Sequence, residues 1–186
     1  MVQAAKFSVE EYHRIVATGA LGDRRIELLH GELVELSPET PYHANQNNKI
    51  YKYLLKQFDG LADVRSHHPI TLATSEPEPD LVLARLPESR YDTRHPEPAD
   101  IFLVIEISYS TLDYDLEIKQ KIYASAGIPD YWVIKLGDPS VQVSRSLIQF
   151  TNPRGGRYQQ CSECTTGELQ ISAFPDVTLE VNRFLA

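Results

Sequence analysis

The apolar positions of the chain alternate between helical and extended spacing, and the elements they predict alternate with them. Val9, Tyr12, Ile15 and Val16 form a helical stripe. Ser8 and Glu11 stand ahead of it at capping-box spacing and Gly19 closes it, which predicts a short amphipathic helix. Arg25 to Leu29 and Glu32 to Leu36 flank His30-Gly31, the signature of a hairpin with a tight turn. Between Tyr42 and Phe58, Ile50, Tyr51, Leu54, Leu55 and Phe58 recur at helical spacing and predict the first long helix. Short strands are expected at Asp63 to Ser66, Ile70 to Ala73 and Asp80 to Ala84, separated by Pro69 and by Pro77-Glu78-Pro79. Pro87 to Pro98 reads as an exposed loop, followed by an apolar strand from Ile101 to Ile107 and a helix from Leu112 to Ala126 that Gly127 and Pro129 end. Tyr131 to Lys135 is the next strand, its Tyr131 and Trp132 read as core. Further strands are expected at Val141 to Arg145, Ile148 to Thr151 and near Tyr158 and Leu169. No repeat or linker interrupts the chain, so residues 1–186 are expected to form one domain.

Two acids interrupt this pattern. Asp80 opens the run Leu81-Val82-Leu83-Ala84, and Glu106 lies inside Ile101-Phe102-Leu103-Val104-Ile105-Glu106-Ile107. A strand apolar at every position is covered on both faces, so a carboxylate within it must be paired, hydrogen-bonded or bound to a metal. If these two strands pair antiparallel, the start of one lies beside the end of the other, and Asp80 meets Glu106 at one edge of the sheet. Two carboxylates so placed repel unless one is protonated or a cation lies between them, and hard oxygen donors suit Mg²⁺ or Mn²⁺. The alternative is a strand-end cap, or an ion pair with Arg65 or Arg85.

The following helix adds a cation. At about 100° per residue Leu112, Leu116, Ile122, Tyr123 and Ala126 share one broad face, and Lys119 falls in the middle of it. Glu117 and Lys121 make an ordinary pair on the opposite, solvent side. Burying an ammonium is costly, so Lys119 snorkels to an edge, pairs with Asp115 one turn earlier, or points at an anionic partner. A cleft holding Asp80, Glu106 and a phosphate is such a partner. Carboxylates, a divalent ion and a lysine are together sufficient for phosphodiester hydrolysis without a serine or cysteine nucleophile.

Composition narrows this picture. The net charge of -8 opposes a strong non-specific DNA binder, although bound divalent ions invert the local charge and leave a nuclease possible. No apolar stretch reaches the roughly 18 to 20 residues of a membrane span. The first residues lack the apolar core of a signal peptide, so a cytoplasmic location without membrane partners is expected. Cys161 and Cys164 form half a zinc site at most and read as ordinary thiols near a hairpin. His67 and His68, adjacent in an extended connection, face opposite sides and seldom bind one metal together.

Pro79-Asp80 followed by Glu106-Ile107-Ser108 looks like the PD-(D/E)xK nuclease signature with serine in place of its lysine. A longer ordered pattern adds Glu27-Leu28-Leu29-His30-Gly31-Glu32, Ser37-Pro38, His43, Tyr114-Asp115 with Lys119, Tyr123, and Gly127-Ile128-Pro129-Asp130-Tyr131-Trp132. This pattern closely resembles the Uma-two endonuclease-like family over nearly the whole chain. The resemblance implies an α/β restriction-endonuclease-like fold: a mixed central sheet flanked by helices, with additional β-hairpins. It implies Asp80 and Glu106 as ligands of Mg²⁺ or Mn²⁺, the Ile107 carbonyl as a further ligand, and Lys119 as a catalytic lysine that has moved from position 108 onto the helix. Ser108 and Asp115 would support the site. Glu27, Glu32 and His43 would support it less directly, with Glu27 paired to an arginine or His43 bracing a helix start as the structural alternatives. The implied activity is a metal-dependent nuclease acting on DNA. The alternative is a catalytically silent nucleic-acid or protein-binding module on this scaffold, with a homodimer formed through edge strands also possible.

Overall fold

A computed structural model describes residues 4–137 and 144–186. Helix α1 (Val9–Ala17) starts at Ser8, whose hydroxyl accepts from the Glu11 amide while the Glu11 carboxylate accepts from the Ser8 amide. Its buried Tyr12 donates to the Ile26 carbonyl at 2.6 Å and so docks the helix on the first hairpin. That hairpin pairs β1 (Ile26–Leu29) with β2 (Glu32–Glu35). His30 (φ 50°) and Gly31 (φ 78°) both adopt the left-handed conformation, as a two-residue primed turn requires. A side chain at Gly31 would put its Cβ 2.7 Å from that of Lys6. Helix α2 (Pro41–Gln57) follows, capped by Thr40 and opened by Pro41.

The centre is a sheet of six strands in the order β3-β4-β5-β6-β7-β8: β3 (Asp63–Ser66), β4 (Leu81–Ala84), β5 (Ile101–Ser108), β6 (Asp130–Lys135), β7 (Ser146–Arg154) and β8 (Arg157–Cys164). Only the β5 and β6 pair is parallel. The α-helical crossover between those two strands carries the site lysine. Strands β9 (Glu168–Ile171) and β10 (Phe174–Glu180) form a separate hairpin, and α5 (Asn182–Leu185) ends the chain. No described helix is long and apolar enough to cross a membrane.

Strand periodicity divides the core in two. Leu81, Leu83, Leu103, Ile105, Ile107, Trp132 and Ile134 face α2 and the C-terminal elements. Val82, Ala84, Val104, Tyr131 and Val133 face the opposite way, against Ile122 and Tyr123 of the crossover. Full burial of each such side chain contributes about 1.5–3 kcal/mol, so both faces are held strongly. Tyr131 and Trp132 are fully buried, as expected of core residues.

The structure departs from the sequence pattern in three places, and a further expected strand falls mostly outside the described residues. Ile70 to Ala73 form no strand, because Pro69, Pro77 and Pro79 deny the ladder its donors; the Ile70 and Leu72 amides bond locally to Pro77 and Ser75 instead. The strand expected from Val141 to Arg145 falls mostly outside the described residues, and β7 begins at Ser146. Asp80 and Glu106 do not lie at an outer edge: β4 and β5 are interior strands, and the acids sit at their ends. Finally, the helix from Leu112 to Ala126 is interrupted. Helix α3 (Leu112–Tyr114) runs into a π-turn over Asp115–Lys119 before α4 (Gln120–Ala126), which Gly127 closes at φ 78°.

Candidate active site

Strand register brings the acids together. Leu81 pairs with Ile105 in the antiparallel β4 and β5 ladder, and one further step sets Asp80 beside Glu106. Both lie on the even-numbered face, the face turned toward α4. Asp80 Oδ2 accepts from the Ile107 amide at 2.7 Å, locking the carboxylate to the neighbouring strand. Glu106 is only 3% exposed, and its Oε1 accepts from Lys119 Nζ at 3.0 Å and from Tyr123 OH at 2.7 Å. Both partners come from the crossover that follows β5.

The π-turn explains how that crossover presents two side chains to the sheet. Its wider backbone ring, closed by the Gln120 amide on the Asp115 carbonyl, turns Asp115 and Lys119 inward together. Asp115 takes the hydroxyls of Ser108 and Thr111, each at 2.7 Å, while Lys119 reaches past it to Glu106. The expected alternative, an Asp115 to Lys119 pair, is not formed among the described ion pairs. Lys119 also lies 3.7 Å from Glu27 Oε1, which accepts from the Glu78 amide at 2.7 Å. Glu27 is fully buried in β1, and its Oε2 has no hydrogen-bond partner among the described residues.

The cluster therefore gathers the carboxylates of Glu27, Asp80, Glu106 and Asp115 around the single ammonium of Lys119. Burial raises Glu106 well above the usual carboxylate range; Lys119 opposes the rise, and Asp115, Asp80 and Glu27 add to it. Lys119 is pushed up despite its burial because Glu106 and the other acids surround it. The surrounding acids push both groups up, although for Glu106 burial is the larger cause. Burial also raises Asp115, against the pull of Lys119 and of its two hydroxyl donors. Asp80 moves the other way, since His43 and the Ile107 amide outweigh its own desolvation.

His43, in the first turn of α2, stands beside Asp80. Its Nε2 lies 2.7 Å from the Ile107 carbonyl and 3.3 Å from Asp80 Oδ2, and its Nδ1 lies 2.6 Å from Glu39 Oε1. Both nitrogens face acceptors, so the ring donates from both and carries a positive charge. Burial opposes that charge, but Asp80 and Glu39 outweigh it and lift the group to about 9.

Most of the residues expected from the sequence converge here. Asp80, Glu106, Lys119, Asp115, Ile107 and His43 line one cleft, with Ser108 and Glu27 directly behind them. Glu27 has no arginine partner among the described ion pairs; its cation is Lys119. Glu32 does not take part: it stands at the hairpin tip, 67% exposed, 3.5 Å from Lys6. The arginine alternative fails for Asp80 and Glu106 as well. Arg65 bonds Asp63 at 2.8 Å, and Arg85 bonds the Ala99 carbonyl at 2.9 Å. Cys161 and Cys164 are free thiols on the outer strand β8.

Sequence reasoning missed Glu39, His67 and the role of the Tyr123 hydroxyl. Alone of the two adjacent histidines, His67 lines the cleft, with Nδ1 3.6 Å from Asp80 Oδ1. Its φ of 52° breaks the extended alternation on which the expectation rested.

The donor set suits a hard divalent cation. Carboxylate oxygens of Asp80 and Glu106 border the cleft, acid exceeds base, and the charged His43 ring already serves as a cation against Asp80 and the Ile107 carbonyl. That carbonyl, expected as a ligand, accepts from His43. Among the described residues no group of three or more His, Cys, Asp or Glu side chains is spaced to hold a metal ion. Mg²⁺ does not require one, since it commonly takes one or two carboxylates and completes its shell with water and substrate phosphate.

Two comparisons with known proteins bear on the family and the fold. Residues 9–182 match a family described as "Uma2: Putative restriction endonuclease". A crystal structure described as that of "a putative nuclease belonging to DUF820 from Anabaena variabilis ATCC 29413" is similar with a TM-score of 0.68 at 12% identity, over 96% of this chain and 97% of that one. No curated protein matches.

Proposed function

The chain belongs to the Uma2 family, and from that premise we propose that it is a Mg²⁺- or Mn²⁺-dependent nuclease hydrolysing DNA phosphodiester bonds. One observation carries the proposal: Asp80 and Glu106 stand side by side at the floor of a cleft, with Lys119 bonded to Glu106 at 3.0 Å. A family match and a shared fold make phosphodiesters the substrate class to test first; the acids and the lysine supply the chemistry.

In this reading Asp80 and Glu106 would hold the divalent ion. When bound, such an ion polarises the phosphoryl group and lowers the pKa of a coordinated water. The protein's own residues perform the remaining work. Lys119, kept protonated by the surrounding acids, donates hydrogen bonds to the oxygen on which charge develops. Tyr123 fixes the rotamer of Glu106 through its 2.7 Å hydrogen bond. Ser108 and Thr111 restrain Asp115, which stands beside Lys119 and helps keep it charged. The Ile107 amide performs the same restraint on Asp80.

The test is cleavage of supercoiled plasmid and of single-stranded oligonucleotides with Mg²⁺, Mn²⁺ or chelator. Cutting is expected only with metal, and Asp80→Ala is expected to slow it by about 10²–10³-fold or more. Metal-dependent cutting that survives Asp80→Ala would remove Asp80 from the site. Failure to cut any substrate would favour a catalytically silent scaffold.

A further inference from the structure

The floor of the cleft is acidic, but its mouth is aromatic. Tyr109 and Tyr114 line it where the chain leaves β5. Tyr109 is 39% exposed, and its ring packs edge-to-face with Tyr42 at a centroid distance of 6.1 Å and an interplanar angle of 76°. Such a contact covers at most one face of each ring and fixes the orientation of both. Arg145 lies over the Tyr42 ring at 5.7 Å, and its guanidinium is held by the Leu185 carbonyl at 2.8 Å, so a fixed cation stands close to the platform. Single exposed aromatic residues are common on protein surfaces. This one is buttressed, carries a cation nearby and borders the acids.

Three features favour an unpaired strand over a duplex. Glu106 and Asp115 are almost wholly buried, so a phosphodiester must enter the cleft to meet them. A flexible strand can be drawn in, whereas the backbone of a duplex is held on a convex surface by its pairing. The net charge of -8 opposes any phosphate backbone, and a duplex, with about twice the charge per length of a single strand, the more strongly. Base stacking needs no such field and tolerates any sequence, because every base has a π-face. We propose that the cleft takes an unpaired stretch of nucleic acid, with a nucleobase stacked on Tyr109 and the adjoining phosphodiester directed to Asp80, Glu106 and Lys119. The placement of the phosphate rests on the nuclease reading above; the stacking does not.

The test measures binding of labelled oligo-deoxythymidine, oligo-uridine and a DNA duplex by the full-length protein in chelator, where nothing is cut, followed by cleavage with Mn²⁺. Single strands are expected to bind about tenfold or more tighter than duplex, and Tyr109→Ala to lose about 5- to 100-fold of that binding, with Tyr109→Trp retaining it. The two single-stranded arms separate DNA from RNA. Duplex binding as tight as single-stranded binding, or indifference of the single strands to Tyr109→Ala, overturns the inference. If duplex is then still cut in an Asp80-dependent manner, the nuclease reading survives without it. Tyr109-dependent binding of single strands that are never cut supports the platform and removes the nuclease reading.

Discussion

Lys119→Met is expected to slow phosphodiester hydrolysis by at least about 10²-fold and to lower the melting temperature by about 6–20 °C. The stability loss follows from burial: Lys119 is 6% exposed and is the ammonium shared by Glu106 at 3.0 Å and Glu27 at 3.7 Å. Removing one partner of a buried ion pair costs about 3–5 kcal/mol. For a domain of this size each kcal/mol moves the midpoint by about 2–4 °C. Loss of the cation also leaves Glu27, Asp80, Glu106 and Asp115 to repel one another, so part of the cost is met by protonation of Glu106. The rate loss is expected at about 10²–10⁴-fold, measured at a temperature where circular dichroism reports the variant folded. Folded Lys119→Met that cuts at the wild-type rate would make Lys119 purely structural.

Glu27→Gln is expected to act in the opposite direction on stability while also reducing activity. Glu27 is fully buried, and Oε2 has no partner among the described residues. Glutamine preserves an acceptor for the Glu78 amide and removes one charge from a cluster that holds too many. Neutralising a poorly compensated buried charge stabilises by about 1–3 kcal/mol, or about 2–12 °C in the midpoint measured without metal. The same change weakens the field that retains Lys119 and a divalent ion, so cleavage is expected to fall by about tenfold or more. A gain in stability with a loss of rate marks a group retained for function. Loss of both would make Glu27 an ordinary structural acid.

The sequence carried the main elements of the site because each broke a local rule. Glu106 interrupts an apolar strand, and Lys119 interrupts an apolar helical face; both anomalies are visible without coordinates, and each residue explains the other across 3.0 Å. Antiparallel pairing of β4 with β5, a condition the sequence leaves open across residues 85–100, then brings in Asp80. Helical phase placed Lys119 correctly but left an Asp115 to Lys119 pair open as the alternative, because regular spacing contains no hint of the π-turn at Asp115–Lys119. That turn inserts an extra residue into the helical ring and sends the two side chains to different partners.

The remainder depended on contacts distant in sequence. His43 and His67 reach Asp80 from the first turn of α2 and from the connection after β3, Glu39 stands against both rings, and no periodicity relates the three. Glu32 entered by resemblance alone; its position beside the His30-Gly31 turn carries it to the surface and to Lys6. Ile70 to Ala73 had strand-like composition, but the surrounding prolines left too few amide donors for a ladder.

On the proposed reading, the acid excess at the floor of the cleft exists to hold a divalent ion. Calorimetric titration of Mn²⁺ into metal-free wild type and Asp80→Ala tests this most directly. Saturable uptake by the wild type, weakened by about tenfold or more in the variant, is the predicted result. No uptake by the wild type, or equal uptake by both proteins, would contradict it.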